Sequence, residues 1–380
     1  MRILPSVATR PERGILTCCL LLCCFGLVMV FSSSAVLSVA EGKSPAFYFE
    51  SQLSKLLAGL ILLACFWSLD YQWLRRKPVA WTALGAGILG LLLLVLGLGV
   101  AHGVRAARWL SVQGVTIQPS EFARVGLVIF LAFYLSGKEG ILPPGRLFVV
   151  PALATFLVAG LVALQPNLSM ALFILLLAVG VFYVGGLSIR WLGLATAPPA
   201  LLALLLMRPY QRERIFGFLG LAGREVAYQV DQSITTVGSG GILGLGLGNG
   251  LQKYFFLPFP HTDFILGIVG EETGLLGITL LLLTYGALIL FGIATSRRAP
   301  DRFGSLLAAG LTWNLAINVL VHGAVNLGMG PVTGVPLPFL SCGGSSLMAN
   351  LLAVGILLSI SRRAVRGAAR DWSTVGGHRP

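Results

Sequence analysis

Apolar runs of about twenty residues, separated by short polar segments, restrict the folds open to this sequence more than any other feature. A run of that length matches the helix needed to cross the hydrocarbon layer of a membrane. Of the 380 residues, 56% are hydrophobic and only 11% are charged. Such a composition leaves too little polar surface for a soluble domain. The sequence therefore predicts an all-α polytopic membrane protein.

Ten transmembrane helices can be placed along the chain. The run from Ile15 to about Ala40 follows three arginines, and it exceeds the roughly 7–15 residues of a signal-peptide core. We therefore expect it to remain as the first span. The ten predicted spans are residues 15–40, 47–68, 80–101, 122–136, 148–165, 168–185, 191–207, 264–295, 304–329 and 345–361.

The positions of Lys and Arg predict that both termini face the cytoplasm. With this orientation, 17 of the 27 basic residues lie on the cytoplasmic side, as the positive-inside rule requires. The net charge of +13 therefore reflects membrane topology, and a nucleic-acid partner is disfavoured. We expect one integral membrane domain over residues 1–380, with an extracytoplasmic loop at 208–263, between spans 7 and 8, and a basic cytoplasmic tail at 362–380.

Three segments are predicted to lie outside the cytoplasmic membrane: residues 102–121, 208–263 and 330–344. The second is too long for a passive connection, and loops of that length are usually functional or disordered. Its apolar and aromatic content argues against disorder. We expect it to form short amphipathic helices over the membrane surface.

Asp263 is the main catalytic candidate among these outer segments. It begins the eighth span, where Asp is also a favoured helix N-cap. Glycines at 267, 270, 274 and 277 share its helical face, and such a stripe lets a helix or a ligand approach the backbone closely. Asp263 is thus predicted to top a crevice, with His261 beside it either tuning its charge or satisfying the loop.

Glu271 and Glu272 lie about two turns further along the same predicted helix. Carboxylates inside a membrane are costly and suggest function by default. They could equally bond neighbouring helices or approach the inner interface of a tilted span. The sequence leaves both interpretations open.

A second charged group occurs before the fourth span, in the stretch RWLSVQGVTIQPSEFARV. Glu121 and Arg124 are three residues apart and can pair on one helix face. They form either an ion pair at a helix start or, together with Arg108, part of an outward cavity opposite Asp263. Arginine suits such a cavity because it binds phosphate oxygens in a bidentate manner.

Two glycine-rich stretches complete the outer side. GSGGILGLGLGNG, residues 238–250, holds seven glycines and matches neither GxGxxG nor a P-loop with GK(S/T). It could be a hinge or a backbone cradle for phosphate. Residues 330–347, with Ser345 and Ser346, should line the same outward cavity, because irregular backbone at membrane depth needs protein or water around it. The sequence shows no metal-ligand cluster, and its cysteines are interpreted mainly as apolar fillers.

Read together, these motifs resemble the SEDS family of FtsW, RodA and SpoVE proteins. The matching stretches occur in the family's order from about residue 15 to 365. They are RWLSVQGVTIQPSEFARV, LQPNLSMA, PYQRERI, YQVDQSITTVGSGGILGLGLGNG, LPFPHTDFILGIVGEETGLLG and VNLGMGPVTGVPLPFLSCGGSSL.

The resemblance implies an inverting glycosyltransferase that polymerises lipid II outside the bacterial cytoplasmic membrane, for cell division or cell shape. It assigns the role of general base to Asp263. It also implies a class B penicillin-binding protein, a transpeptidase, as partner in the lipid bilayer. A divalent cation, Mg²⁺ or Mn²⁺, could accompany the substrate pyrophosphate.

Three positions depart from the family pattern. Arg124 stands where the family usually has Lys, Asn167 where it has Asp, and Cys342 where it has Tyr. Arg124 keeps the positive charge. Asn167 removes a potential acid, which argues against an essential proton transfer at that position.

Two other functions remain open from sequence. Charged residues within spans and glycine-rich helices would also suit a lipid II flippase, although such a transporter should have functional charges at the midplane. The chain could also be a non-catalytic scaffold for the transpeptidase. The division and elongation branches of the family are not separable on these motifs.

Overall fold

The computed structural model describes most of the chain as α-helix. The described residues are 11–97, 108–112, 115–138, 141, 143–165, 167–188, 192–193, 207, 209–218 and 224–375. The elements are α1 Pro11–Ala40, α2 Phe47–Ser68, a 3-10 helix Tyr71–Arg75, α3 Lys77–Val95, β1 Leu110–Val112, β2 Val115–Ile117, α4 Pro119–Lys138, α5 Pro144–Leu147, α6 Val149–Leu164, α7 Leu168–Val184, α8 Pro209–Phe218, α9 Arg224–Ser239, α10 Ile265–Arg298, α11 Arg302–Asn326 and α12 Gly344–Val375.

Within these residues, seven helices are long and apolar enough to cross a membrane: α1 to α4 and α10 to α12. The apolar helices α6 and α7 are shorter, with 16 and 17 residues. All nine coincide with predicted spans, which confirms the polytopic helical class. The predicted seventh span, residues 191–207, lies outside the described residues apart from 192–193 and 207, so the count of ten stays a prediction.

Helices α4, α11 and α12 are the most enclosed of the long helices, and the other spans pack around them. Small residues allow this close packing because they let helix backbones approach. A Cβ added at Gly126 of α4 would lie 2.6 Å from the carbonyl oxygen of Ala83 in α3. One added at Gly355 of α12 would lie 2.6 Å from the carbonyl oxygen of Leu63 in α2.

The three segments predicted to lie outside meet at one end of the helix bundle. The Gln118 N–H donates to Ser345 Oγ at 2.9 Å, which joins the segment before α4 to the start of α12. Arg214 of α8 donates to the Val332 carbonyl at 3.3 Å. At the opposite end, Arg302 of α11 donates to the Val184 carbonyl at 3.2 Å. The orientation of these ends in the cell stays a prediction.

Helix α10 is broken at Gly274, which has φ 67° and ψ −169°. The glycine-rich stretch 240–246 pairs with the main chain exposed by this break. The N–H groups of Leu275 and Leu276 donate to the carbonyls of Gly241 and Ile242 at 2.9 and 3.2 Å. In return, Leu245 and Gly246 donate to the carbonyls of residues 271 and 272. The stretch thus completes the hydrogen bonding of a helix interrupted within the membrane.

Other segments of this chain pack against the glycine stripe predicted on α10. A Cβ on Gly270 would lie 3.0 Å from Val237 Cα, and one on Gly267 would meet Thr236 and Ser233 of α9. Since the helix breaks at Gly274, Gly277 does not continue the same face. The predicted close approach is therefore made by α9 and the glycine-rich stretch.

The long predicted loop 208–263 contains the two helices α8 and α9. Helix α9 is amphipathic: Ser233 and Thr236 are buried, whereas Tyr228 and Ile234 are exposed. This agrees with the expectation of short helices rather than disorder in the described part of the loop.

Candidate functional site

Asp263 lies just before α10, at the end of the molecule where the outer segments meet. The N-cap of α10 is Phe264, so Asp263 does not cap the helix. Its carboxylate makes no hydrogen bond or ion pair with another residue that the structure describes. The residue is half-buried. It therefore combines an available carboxylate with a partly desolvated position.

The main chain around Asp263 is held by other parts of the fold. The Cys342 N–H donates to the His261 carbonyl at 2.9 Å, and Ser341 Oγ donates to the Thr262 carbonyl at 2.8 Å. Asn326 Nδ2 donates to the Asp263 carbonyl at 3.0 Å. Three consecutive carbonyls are thus bound by residues from the loop before α12 and from the end of α11.

Burial raises the pKa of Asp263, and the positive charges of Arg214 and Arg108 partly oppose this rise. A carboxylate with a raised pKa is a stronger base once it is deprotonated. Gly334 faces it, since a Cβ there would lie 3.8 Å from Asp263 Oδ2. The loop 330–344 thus lies against Asp263, as the sequence predicted.

A cavity of about 190 Å³ opens at this end of the molecule, lined by residues from the three outer segments, from the start of α7 and from α11. Its polar wall includes Arg108, Arg214, Gln211 and Asn167. Its apolar wall consists of Leu168, Leu172, Phe173, Leu176, Ile215, Val321, Pro331, Val332 and Val335. A cavity with cationic side chains above apolar ones suits an anionic lipid headgroup followed by a hydrocarbon chain.

Arg108 is the predicted cavity residue that the structure brings into this wall. Arg214 and Gln211 were not singled out from sequence, because a long loop offers no periodicity that would relate them to Asp263. The one signal for them was the stretch PYQRERI, which matched the family pattern. Asn167, the departure from the family's Asp, lies in the same wall as the two arginines.

Glu121 and Arg124 form a buried ion pair inside the helix bundle. Their side chains are 0% and 1% exposed. Arg124 also donates to Asn318 Oδ1 of α11 at 3.3 Å, and its guanidinium lies 4.6 Å from the ring centre of Phe173. Phe173 also lies in the cavity wall, whereas a direct part of the ion pair in substrate binding stays a prediction.

The other predicted cavity residues contact protein groups. Burial lowers the pKa of His261 to about 4, so this ring is neutral at pH 7, and it packs 4.8 Å from the ring of Tyr48. Ser345 accepts the Gln118 N–H, and Ser346 accepts from Asn350 at 3.2 Å. The structure does not bring these three side chains into the cavity, and their role in substrate binding stays a prediction.

Glu271 and Glu272 hold the loop that leads to Asp263. Glu271 accepts the Leu251 N–H at 2.7 Å and the Gln252 N–H at 3.2 Å. Glu272 pairs with Lys253 at 2.8 Å and accepts from Ser32 of α1 at 2.6 Å. The sequence left open whether these carboxylates are functional or bond to neighbouring parts of the fold, and these contacts support the structural role.

No group of three or more His, Cys, Asp and Glu side chains that could hold a metal ion occurs in the described parts of the chain. A divalent cation arriving with the substrate pyrophosphate stays a prediction.

The fold and the site define a polytopic membrane protein with a carboxylate and two arginines at one end of its helix bundle. A family profile described as "Cell cycle protein", covering FtsW, RodA and SpoVE, matches residues 13–366. The chain belongs to this family.

Named relatives extend the match over nearly the whole chain. Stage V sporulation protein E of Bacillus subtilis is 38% identical, covering 93% of this chain and 98% of the relative. The probable peptidoglycan glycosyltransferase FtsW of Geobacter sulfurreducens is 36% identical, covering 94% and 97%.

Solved structures agree with these relatives. One, on the structural coordination of polymerization and crosslinking by a peptidoglycan synthase complex, has a TM-score of 0.76 at 30% identity, covering 92% of this chain and 97% of that one. The crystal structure of the rod shape determining protein RodA of Thermus thermophilus has a TM-score of 0.69 at 29% identity, covering 94% and 98%.

Proposed function

We propose that this chain is a peptidoglycan glycosyltransferase that polymerises lipid II on the outer face of the cytoplasmic membrane. The observation that carries the proposal is the accessible, half-buried carboxylate of Asp263 beside a cavity walled by Arg108 and Arg214. Membership of the family and the names of its relatives support the same activity.

The reaction is a single displacement at the anomeric carbon of the donor. Asp263 takes the proton from the 4-hydroxyl of the acceptor's N-acetylglucosamine, and that oxygen bonds to the donor's anomeric carbon. The bond from this carbon to the pyrophosphate breaks, and undecaprenyl pyrophosphate leaves with the bonding electrons. Because the nucleophile enters opposite the leaving group, the configuration inverts.

The two arginines have a defined role in this scheme. Negative charge develops on the pyrophosphate as it leaves, and guanidinium groups stabilise phosphate oxygens. The apolar wall below them, with Leu172 and Leu176, suits the first isoprene units of the lipid. The arginines also limit the rise in the pKa of Asp263, which favours the ionised form that can act as a base.

The partner of this activity is a class B penicillin-binding protein. The structural similarity to a synthase complex that coordinates polymerization with crosslinking supports such a transpeptidase. Polymer made in the cavity would then be crosslinked next to the site of its synthesis.

A flippase would use charges that face a path through the membrane. Glu121 is paired with Arg124, and Glu272 with Lys253, all four buried. The available carboxylate is instead Asp263, at the outer end. These placements favour the enzyme.

The test is polymerisation of labelled lipid II in detergent micelles by the purified complex, with the partner's transpeptidase site blocked. Micelles have no second compartment, so a flippase makes no product in them, and a scaffold makes none when its partner is blocked. We expect glycan strands from wild type and none from Asp263→Asn. Absence of strands from a folded wild-type complex would overturn the proposal.

A further inference from the structure

Asn326, the last residue of α11, makes an unusual set of contacts for one side chain. It is 0% exposed. Its Nδ2 donates to the carbonyls of Asp263 and His322, both at 3.0 Å. Its Oδ1 lies 3.3 Å from the Gly267 N–H and 3.5 Å from Ser233 Oγ. One amide therefore joins α11 to Asp263, to the first turn of α10 and to α9.

These contacts fix the point where α10 begins. The first N–H groups of a helix lack partners within the helix, and Asn326 supplies an acceptor for the Gly267 N–H, which also donates to the Phe264 carbonyl at 3.0 Å. The same amide binds the carbonyl of Asp263. The peptide that carries the carboxylate and the helix that follows it are thus oriented by one buried group.

The opposite side of the same peptide segment is held by the loop before α12. Ser341 Oγ donates to the Thr262 carbonyl at 2.8 Å and itself accepts the Leu337 N–H at 2.8 Å. The main chain around Asp263 is therefore held by both Asn326 and Ser341. The carboxylate can still rotate about its own side-chain bonds.

We propose that Asn326 is a positioning residue for the glycosyl transfer: it sets the direction from which the Asp263 carboxylate meets the acceptor hydroxyl. This inference rests on the proposed role of Asp263 as the base. Asn326 is fully buried and is not among the residues of the cavity wall. It therefore acts on the base and leaves lipid binding to the cavity.

The expected consequence is a loss in kcat without a change in KM. A displacement of about 1 Å at a reacting group can lower a rate by about 100-fold. Removing the amide releases the Asp263 carbonyl and takes one of its two acceptors from the Gly267 N–H. The arginines and the apolar wall keep their places, so the affinity for lipid II is retained.

The experiment compares Asn326→Leu with Asn314→Leu in the complex with its transpeptidase partner. Asn314 is a buried asparagine on the same helix, three turns away, and its Oδ1 has no hydrogen-bond partner in the described structure. Initial rates of lipid II polymerisation give kcat and KM, and thermal unfolding in detergent gives the folded fraction. Asp263→Asn is measured alongside.

We expect Asn326→Leu to lower kcat by about 10- to 100-fold at unchanged KM, and Asn314→Leu to keep the kcat of wild type. A wild-type kcat in Asn326→Leu, with Asp263→Asn inactive, would overturn the positioning role alone. Full activity in Asp263→Asn would overturn the proposed base, and the positioning role with it.

If Asn326→Leu does not fold, Asn326→Ser decides the question, because this shorter polar side chain lacks the amide that binds the Asp263 carbonyl. We expect it to lower kcat in the same way. An unchanged kcat in Asn326→Ser, with Asp263→Asn inactive, would then overturn the positioning role.

Discussion

Asp263 and the pair Glu271–Glu272 lie within ten residues of each other, yet the structure uses their carboxylates in opposite ways. The oxygens of Glu271 and Glu272 accept from main-chain N–H groups, Ser32 and Lys253. Asp263 is instead held through its main-chain carbonyl. A carboxylate whose lone pairs are occupied stabilises the fold, whereas one left available can take a proton.

The largest expected effect on stability comes from breaking the Glu272 pair. Lys253→Met leaves a carboxylate buried without its partner, which costs about 3–5 kcal/mol. We expect a markedly lower unfolding temperature in detergent. The double variant Lys253→Met/Glu272→Gln removes both charges and should recover much of the loss; no recovery would show that the charge pair is not the cause.

The helix break should be the next most sensitive point. Gly274→Ala places a Cβ about 2.4 Å from the Gly244 nitrogen, at a φ of 67° where a non-glycine residue costs on the order of 1–3 kcal/mol. Gly286→Ala on the same helix is the control, since nothing lies within 4 Å of its Cβ. Equal unfolding temperatures for the two variants would contradict the described break.

The pH dependence of polymerisation tests whether the available carboxylate of Asp263 acts as the base. Activity should fall as pH drops through the raised pKa of Asp263, because the protonated acid is no base. Arg214→Gln removes a charge that lowers this pKa, so the acid limb should move to higher pH. Arg212→Gln, an exposed arginine on the same helix, should leave the limb in place. If the acid limb of the pH–activity profile stays at the same pH in Arg214→Gln, a group other than Asp263 is responsible for it.

The smallest effect is expected from changing the Cys342 side chain alone. The residue binds the His261 carbonyl through its main-chain N–H, so the side chain is not required for this contact. Cys342→Ser should therefore polymerise lipid II much as wild type does. Cys342→Pro lacks the N–H and should lose activity. Equal activity in both variants would show that the hydrogen bond from the Cys342 N–H to the His261 carbonyl is not required.

Much of the fold could be predicted from the sequence because the membrane sets the length and composition of each span. Described helices coincide with nine predicted spans. Asp263 also stood out, since an acid at a predicted outer membrane interface is conspicuous. The family resemblance supplied its role.

The surroundings of Asp263 were less accessible to sequence reasoning. The break at Gly274 was missed because a helical wheel assumes an unbroken helix, and the pairing of residues 240–246 with it is a long-range main-chain contact. Arg214 and Asn326 approach Asp263 through tertiary packing, which no local spacing reports. The sequence also left Glu121 and Arg124 between a helix-start ion pair and a cavity position, because burial cannot be read from their spacing.

In the proposed reaction, Asp263 contributes to chemistry rather than to stability. The most direct measurement pairs lipid II polymerisation with thermal unfolding for Asp263→Asn, with Asp231→Asn, an exposed acid on α9, as control. Because burial raises the pKa of Asp263, its contribution to stability is greatest at low pH and is lost as pH rises through that pKa. Neutralising it should therefore leave the unfolding temperature at neutral pH unchanged or higher.

We predict that Asp263→Asn forms no glycan strands while unfolding at or above the wild-type temperature, and that Asp231→Asn behaves as wild type. Strand formation by Asp263→Asn at the wild-type rate would contradict the central claim.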